Sequence, residues 1–114
     1  MNSTKNKFQK TLNSLRFELI KMSNRAKAAH LASSLSCIDI IATLYYSVLN
    51  IVPKNFKNLN RDRFILSKGH AATALYAVLA YRGFFNKKKL LDYAKQNSLL
   101  EEHPNPKLNG VEAA

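Results

Sequence analysis

Apolar positions along this chain mark out helical stripes around one short strand-like run. From Ser3 to Lys27, Phe8, Leu12, Leu15, Leu19 and Met22 recur at steps of four and three, with Lys and Asn on the other faces. That spacing predicts one amphipathic helix docked onto a core. Ala28 to Ser36 reads Ala-Ala-His-Leu-Ala-Ser-Ser-Leu-Ser, a small-residue connection whose serines can satisfy loose backbone groups. A second helix is expected from Ser36, with Asp39 three residues on as an approximate capping box and a complement to the helix dipole. It runs through Ile40, Ile41, Leu44, Tyr45, Val48 and Leu49, and its apolar sides suit burial in a body larger than this chain. Pro53 is expected to end it, and Lys54 to Arg61 is an Asn-rich polar loop.

Phe64-Ile65-Leu66 is a short run of strand formers, followed at once by the helical pattern Ala71, Ala74, Leu75, Val78, Leu79. A strand handing over to a helix is the prediction, the helix running from about Gly69 to Arg82 with Gly83 just past its end. Ser67-Lys68-Gly69-His70 lies at the junction. A glycine there permits a sharp turn or close approach of a ligand, and free N–H groups at a helix start favour an anion such as phosphate. The simpler alternative makes Ser67 an N-cap and His70 a surface residue of the first turn. A fourth helix is expected to start at Asn86 as N-cap, placing Lys87 to Lys89 in its first turn and taking in Leu90, Leu91 and Tyr93. From Glu101 onward two prolines fix a loop in which His103, preceding Pro104, is held in extended backbone.

One convincing strand leaves both its rows of backbone groups unpaired, so either the chain is mostly helical or part of its sheet lies elsewhere. With 114 residues and 46% apolar content, residues 1–114 make one domain with a core. The formal charge of +11 admits a nucleic-acid reading, but 13 of the 18 basic residues are Lys, and they are spread along the chain. Lysine lacks the planar fork suited to reading bases, so no nucleic-acid partner is expected. Cys37 alone can make no intramolecular disulfide, which fits a reducing cytoplasm, and Met1 to Lys10 lacks the apolar core of a signal peptide. Between Ala28 and Val52 the one formal charge is Asp39. A central Asp costs about 2.5 to 3.5 kcal/mol on insertion scales, so a buried soluble helix is expected there, not a membrane span.

His30, His70 and His103 each fall at a small-residue or turn-rich junction. With the words around them, they resemble the opening of the transketolase family. Its Gly-His, Leu-Ser and Asp-Ile-Leu-Tyr words correspond to Ala29-His30, Leu35-Ser36, Asp39-Ile40 and Leu44-Tyr45. Arg-Asp-Arg-Phe and Leu-Ser-Lys-Gly-His-Ala are matched residue for residue at 61–64 and 66–71, and the family's His-Pro and Gly-Val-Glu stand at 103–104 and 110–112. The resemblance extends from about Arg16 to the end.

The resemblance implies an α/β class: an incomplete thiamine diphosphate-binding fold, mostly helical in this piece, with one parallel-sheet strand. It implies a thiamine diphosphate-dependent transferase that moves a two-carbon ketol unit between sugar phosphates. His30 matches a histidine that hydrogen-bonds the sugar oxygen and stabilises charge on it, and His103 one near the reacting end of the donor ketose. His70, with Gly69, matches the diphosphate and substrate region, and Ser33 sits where some members contact the cofactor. The family's Thr-Gly-Ser-Leu-Gly loop, its Mg2+ ligands and its pyrimidine-binding domain are not in these 114 residues. The expectation is a fragment, inactive alone, completed by the remainder of the enzyme or a C-terminal subunit in a homo- or hetero-oligomer. Ala29, Ala32 and Ser33 replace glycines common around the family's first histidine, which leaves the sugar open and looks more like the two-chain branch. Two alternatives stay beside this reading: a non-catalytic helical interaction module derived from the fold, and a basic nucleic-acid-binding domain.

Overall fold

The amphipathic stripe near the start of the chain forms α1, Asn2–Ala26, which buries Leu12, Leu15, Leu19 and Met22 as the spacing requires. The structure, a computed structural model, describes residues 2–27 and 30–112; Ala28 and Ala29 of the small-residue connection, and Ala113 and Ala114, lie outside the described residues. Two further helices pack with α1: α2, Leu31–Thr43, extended by a π-helical turn over Leu44–Val48, and α3, Ala72–Tyr81, entered through a 3-10 turn at Gly69–Ala71. A 3-10 segment over Lys87–Asp92 packs beside α3.

The second helix begins at Leu31, five residues before the expected Ser36. His30 takes a left-handed conformation, φ 75 and ψ 19, and its carbonyl accepts the Ser34 N–H at 3.3 Å, so the helix is already closed when Ser36 is reached. The Ser36 hydroxyl donates back to the Ser33 carbonyl at 2.8 Å, an in-helix bond and not a cap. Asp39 therefore lies in mid-helix, where it caps nothing and accepts two bonds from the Arg16 Nη2 of α1, at 2.5 and 2.6 Å. The end differs too: Leu49 is extended at φ −72, ψ 137, four residues before Pro53, and Pro53 instead opens a 3-10 turn, Pro53–Asn55. Residues 31–48 are long and apolar enough to cross a membrane by length and composition. Here they pack against α1 and α3 with Ser34, Ile38, Ile41, Ala42 and Tyr45 buried.

The expected strand is not formed, and the α/β class is corrected to an all-helical one over the described residues, none of which is in a strand. Phe64-Ile65-Leu66 does alternate in burial: Leu66 is inside, Ile65 is 57% exposed, and Phe64 meets the Tyr45 ring edge-on at 5.7 Å. A ladder needs a second segment that pairs over several residues, and here the run is held at single points instead: the Asp62 N–H donates to the Asn50 carbonyl at 3.0 Å and the Arg61 side chain pairs with Glu112.

α3 is the centre of the molecule, with every residue from Ala72 to Ala80 buried. Its end matches the expectation: Gly83 at φ 91 donates its N–H to Ala80, and Phe84 donates to Leu79 at 2.9 Å, a Schellman closure. Asn86 also caps as expected, its side-chain oxygen accepting the Lys88 N–H at 2.9 Å, though the segment it opens is 3-10 and not α-helical.

Candidate functional site

The three histidines predicted from separate junctions converge. The His30 ring stacks on the His70 ring with centroids 4.4 Å apart and planes at 28°, and His70 meets His103 at 5.3 Å and 55°. Each comes from a different piece of local structure: His30 from the left-handed residue before α2, His70 from the 3-10 turn into α3, His103 from the proline-fixed loop. All three are exposed. Gly69 permits the second of these contacts, because a Cβ there would lie 2.7 Å from the His103 Nδ1. Its role is thus close approach, one of the two uses of glycine considered at this junction.

The turn itself differs from expectation. Ser67 does not cap α3; its carbonyl accepts the Gly69 N–H at 3.0 Å, while Ala71 donates to Lys68 and Ala72 to Gly69. The N–H groups of Gly69, Ala71 and Ala72 are thereby engaged, so any anion here is met mainly by side chains. Lys68 is one such side chain, its ammonium reaching across to the Ser36 hydroxyl at 2.7 Å. Ser33 stands in the first turn of α2, with its carbonyl accepting from Ser36 and Cys37. It shares the helix of the histidine wall without joining the ring stack.

Sequence reasoning missed the polar groups behind the histidines. Ser34 and Thr73, both buried, share a hydroxyl hydrogen bond that ties α2 to α3. The buried Tyr76 hydroxyl lies 2.7 Å from the Glu101 carbonyl oxygen and 3.0 Å from that of His103. Burial, reinforced by Glu101, pushes the Tyr76 phenol well up from its ordinary value, keeping it a proton donor. Polar residues three and six positions after His70, in a largely apolar helix, were the available signal. Burial also raises the Cys37 thiol, with Lys68 acting in the opposite sense. At the far side, Arg61 donates twice to Glu112, at 2.8 and 2.5 Å, joining two of the family-like words across the fold.

Comparison with known proteins bears on the same residues. Residues 7–114 match the family model described as transketolase, thiamine diphosphate binding domain. The chain is 34% identical over 97 residues to an apulose-4-phosphate transketolase subunit of Phocaeicola vulgatus, covering 85% of this chain and 34% of that protein. It is 40% identical over 97 residues to human transketolase, covering 85% and 16%, and 34% identical over 104 residues to human transketolase-like protein 2, covering 91% and 17%. The chain thus spans about a third or less of the length of these relatives.

Proposed function

The chain belongs to the transketolase family, and from that premise we propose that it supplies one wall of a thiamine diphosphate and sugar-phosphate site in an enzyme that transfers a two-carbon ketol unit. The observation that carries the proposal is the convergence of His30, His70 and His103. The donor set suits the cofactor's anionic end: imidazoles that can donate, with the Lys68 ammonium beside them and Gly69 leaving room. When bound, thiamine diphosphate would supply the electron sink needed to break a carbon–carbon bond beside a carbonyl.

In this reading His70, with Gly69 and Ser33, holds the diphosphate end. His30, fixed by its left-handed backbone, donates a hydrogen bond to a sugar oxygen and stabilises negative charge developing there. His103 holds or moves a proton at the reacting end of the ketose. Mg2+ belongs to the same proposal, with ligands outside this chain. The exposure of all three rings supports a site that is inactive until a second surface covers it, since such chemistry requires exclusion of water. A completing subunit fits that need, and the relative from Phocaeicola vulgatus is itself named as one subunit of a transketolase. A cytoplasmic setting completes the proposal, resting on the single Cys37.

Calorimetric titration of thiamine diphosphate with Mg2+ into the 114-residue chain tests this. Weak heat that disappears in His70→Ala, with no ketol transfer, is the expected result. Tight one-to-one binding or turnover by the chain alone contradicts the division of the site, and heat unchanged in His70→Ala removes the histidine wall from it.

A further inference from the structure

His70, Thr73 and Tyr76 follow one another at steps of three, a stripe along the start of α3. The first carries the central imidazole. The other two are polar side chains in a helix otherwise buried among apolar groups, Thr73 at 6% and Tyr76 at 0% exposure. A buried hydroxyl is retained only where it is hydrogen-bonded, and each of these bonds to an element that carries one of the other two histidines. Thr73 bonds Ser34, one turn after His30 on α2, and Ser34 in turn closes onto the His30 carbonyl through its N–H. Tyr76 reaches the carbonyl of His103 itself and that of Glu101. The proline that follows His103 has no N–H with which to anchor the loop, and Pro104 is buried, so the tyrosine hydroxyl is a principal polar tie on this segment.

We infer that the Thr73 and Tyr76 hydroxyls are positioning groups for the histidine cluster, Thr73 setting where His30 meets His70 and Tyr76 setting where His103 meets His70. α3 then acts as a common ruler, and each outer imidazole is registered to the central one by its own buried bond. The inference assigns these two residues a part in the site proposed above and rests on that reading for its functional meaning. Its geometry is independent of whether diphosphate binds.

Proton NMR of the histidine rings in the ligand-free full chain tests it. Wild type gives ring-to-ring contacts for both His30 with His70 and His70 with His103. Tyr76→Phe loses the His70–His103 contact and keeps the other; Thr73→Val does the reverse; Thr73→Ser, which restores a hydroxyl, restores the His30–His70 contact. Both contacts surviving in folded Tyr76→Phe and Thr73→Val chains overturns the inference. So does collapse of the whole spectrum in Tyr76→Phe, or loss of the His30–His70 contact in Thr73→Ser, since the hydroxyls would then be general elements of the fold or irrelevant to registration. Because no ligand is present, a failure of diphosphate binding leaves this test standing.

Discussion

α2 and α3 each follow closely on a histidine of the cluster, and the rest of their lengths lies in opposite surroundings. α3 is buried from Ala72 to Ala80, with Ala71, Ala72, Ala74, Ala77 and Ala80 letting its neighbours approach closely. α2 and its π-helical extension leave Leu35, Ile40 and Val48 in solvent, the last two at 63% and 64% exposure. Both helices are apolar by composition, so apolarity alone does not decide which forms the core. What separates them is contact on all sides, and it makes α3 the most fully buried of the helices, with the histidine cluster at its start.

The largest contrast between the two helices is expected from a matched pair of truncations. Leu79→Ala, at a side chain with no exposed surface, is expected to cost about 2–5 kcal/mol in urea unfolding. Ile40→Ala on α2 is expected to stay within about 0.5 kcal/mol, as surface substitutions do. Equal costs would mean that α2 is as much core as α3.

A second pair contrasts the two ends of the α3 surroundings. Gly110 has φ +97, and a Cβ there would lie 2.9 Å from the Leu79 Cδ2, so Gly110→Ala is expected to destabilise by about 1–3 kcal/mol. At Gly69 the added methyl would lie 2.7 Å from the His103 Nδ1, against an exposed side chain and not against the core. Gly69→Ala should lower the melting temperature less than Gly110→Ala does while abolishing the His70–His103 ring contact by NMR; a larger drop than for Gly110→Ala would show that the His103 contact carries more of the fold than its exposed ring allows.

Alkaline titration probes the same contrast through the tyrosines around α3. Burial first, then Glu18, pushes Tyr81 up to about 12; burial, then Glu102, does the same for Tyr93. A phenol whose folded value exceeds its unfolded value of about 10 binds its proton more tightly when folded. Its contribution is whole below about pH 10 and is lost as pH rises towards 12. Tyrosinate absorbance is therefore expected to rise together with unfolding over that window; full ionisation near pH 10 in a still-folded chain would contradict the burial. The smallest effect is expected on the outer face, where Arg16 and Asp39 pair with side chains 36% and 56% exposed. Asp39→Asn should cost about 0.2–1 kcal/mol and less at high salt, and an undiminished cost in salt would show a stronger tie between α1 and α2 than exposure allows.

The elements legible in the sequence were those set by neighbours a few residues away. Phe8 to Met22 defined α1 by periodicity, Gly83 marked a helix end because a positive φ is needed there, and Asn86 announced a cap. The misread elements depended on distant partners. Phe64 to Leu66 has strand-forming residues but no partner segment, Asp39 found Arg16 instead of a helix end, and α2 started early, from a left-handed His30 whose ring stacks on the distant His70. The histidines were singled out by the company they keep in the chain, whereas Thr73 and Tyr76 passed as ordinary helix residues because only burial reveals what their hydroxyls hold.

Residue order was thus enough for the helical stripes, the glycine and asparagine punctuation, the family and the identity of the three histidines, since each of these resides in local sequence. Tertiary packing was needed to establish that the three rings meet, that the expected strand has no ladder, and that α3 and not α2 is the core. Ring contacts, strand pairing and burial are properties of pairs of segments far apart in the chain, and no residue carries them until its partner is in place.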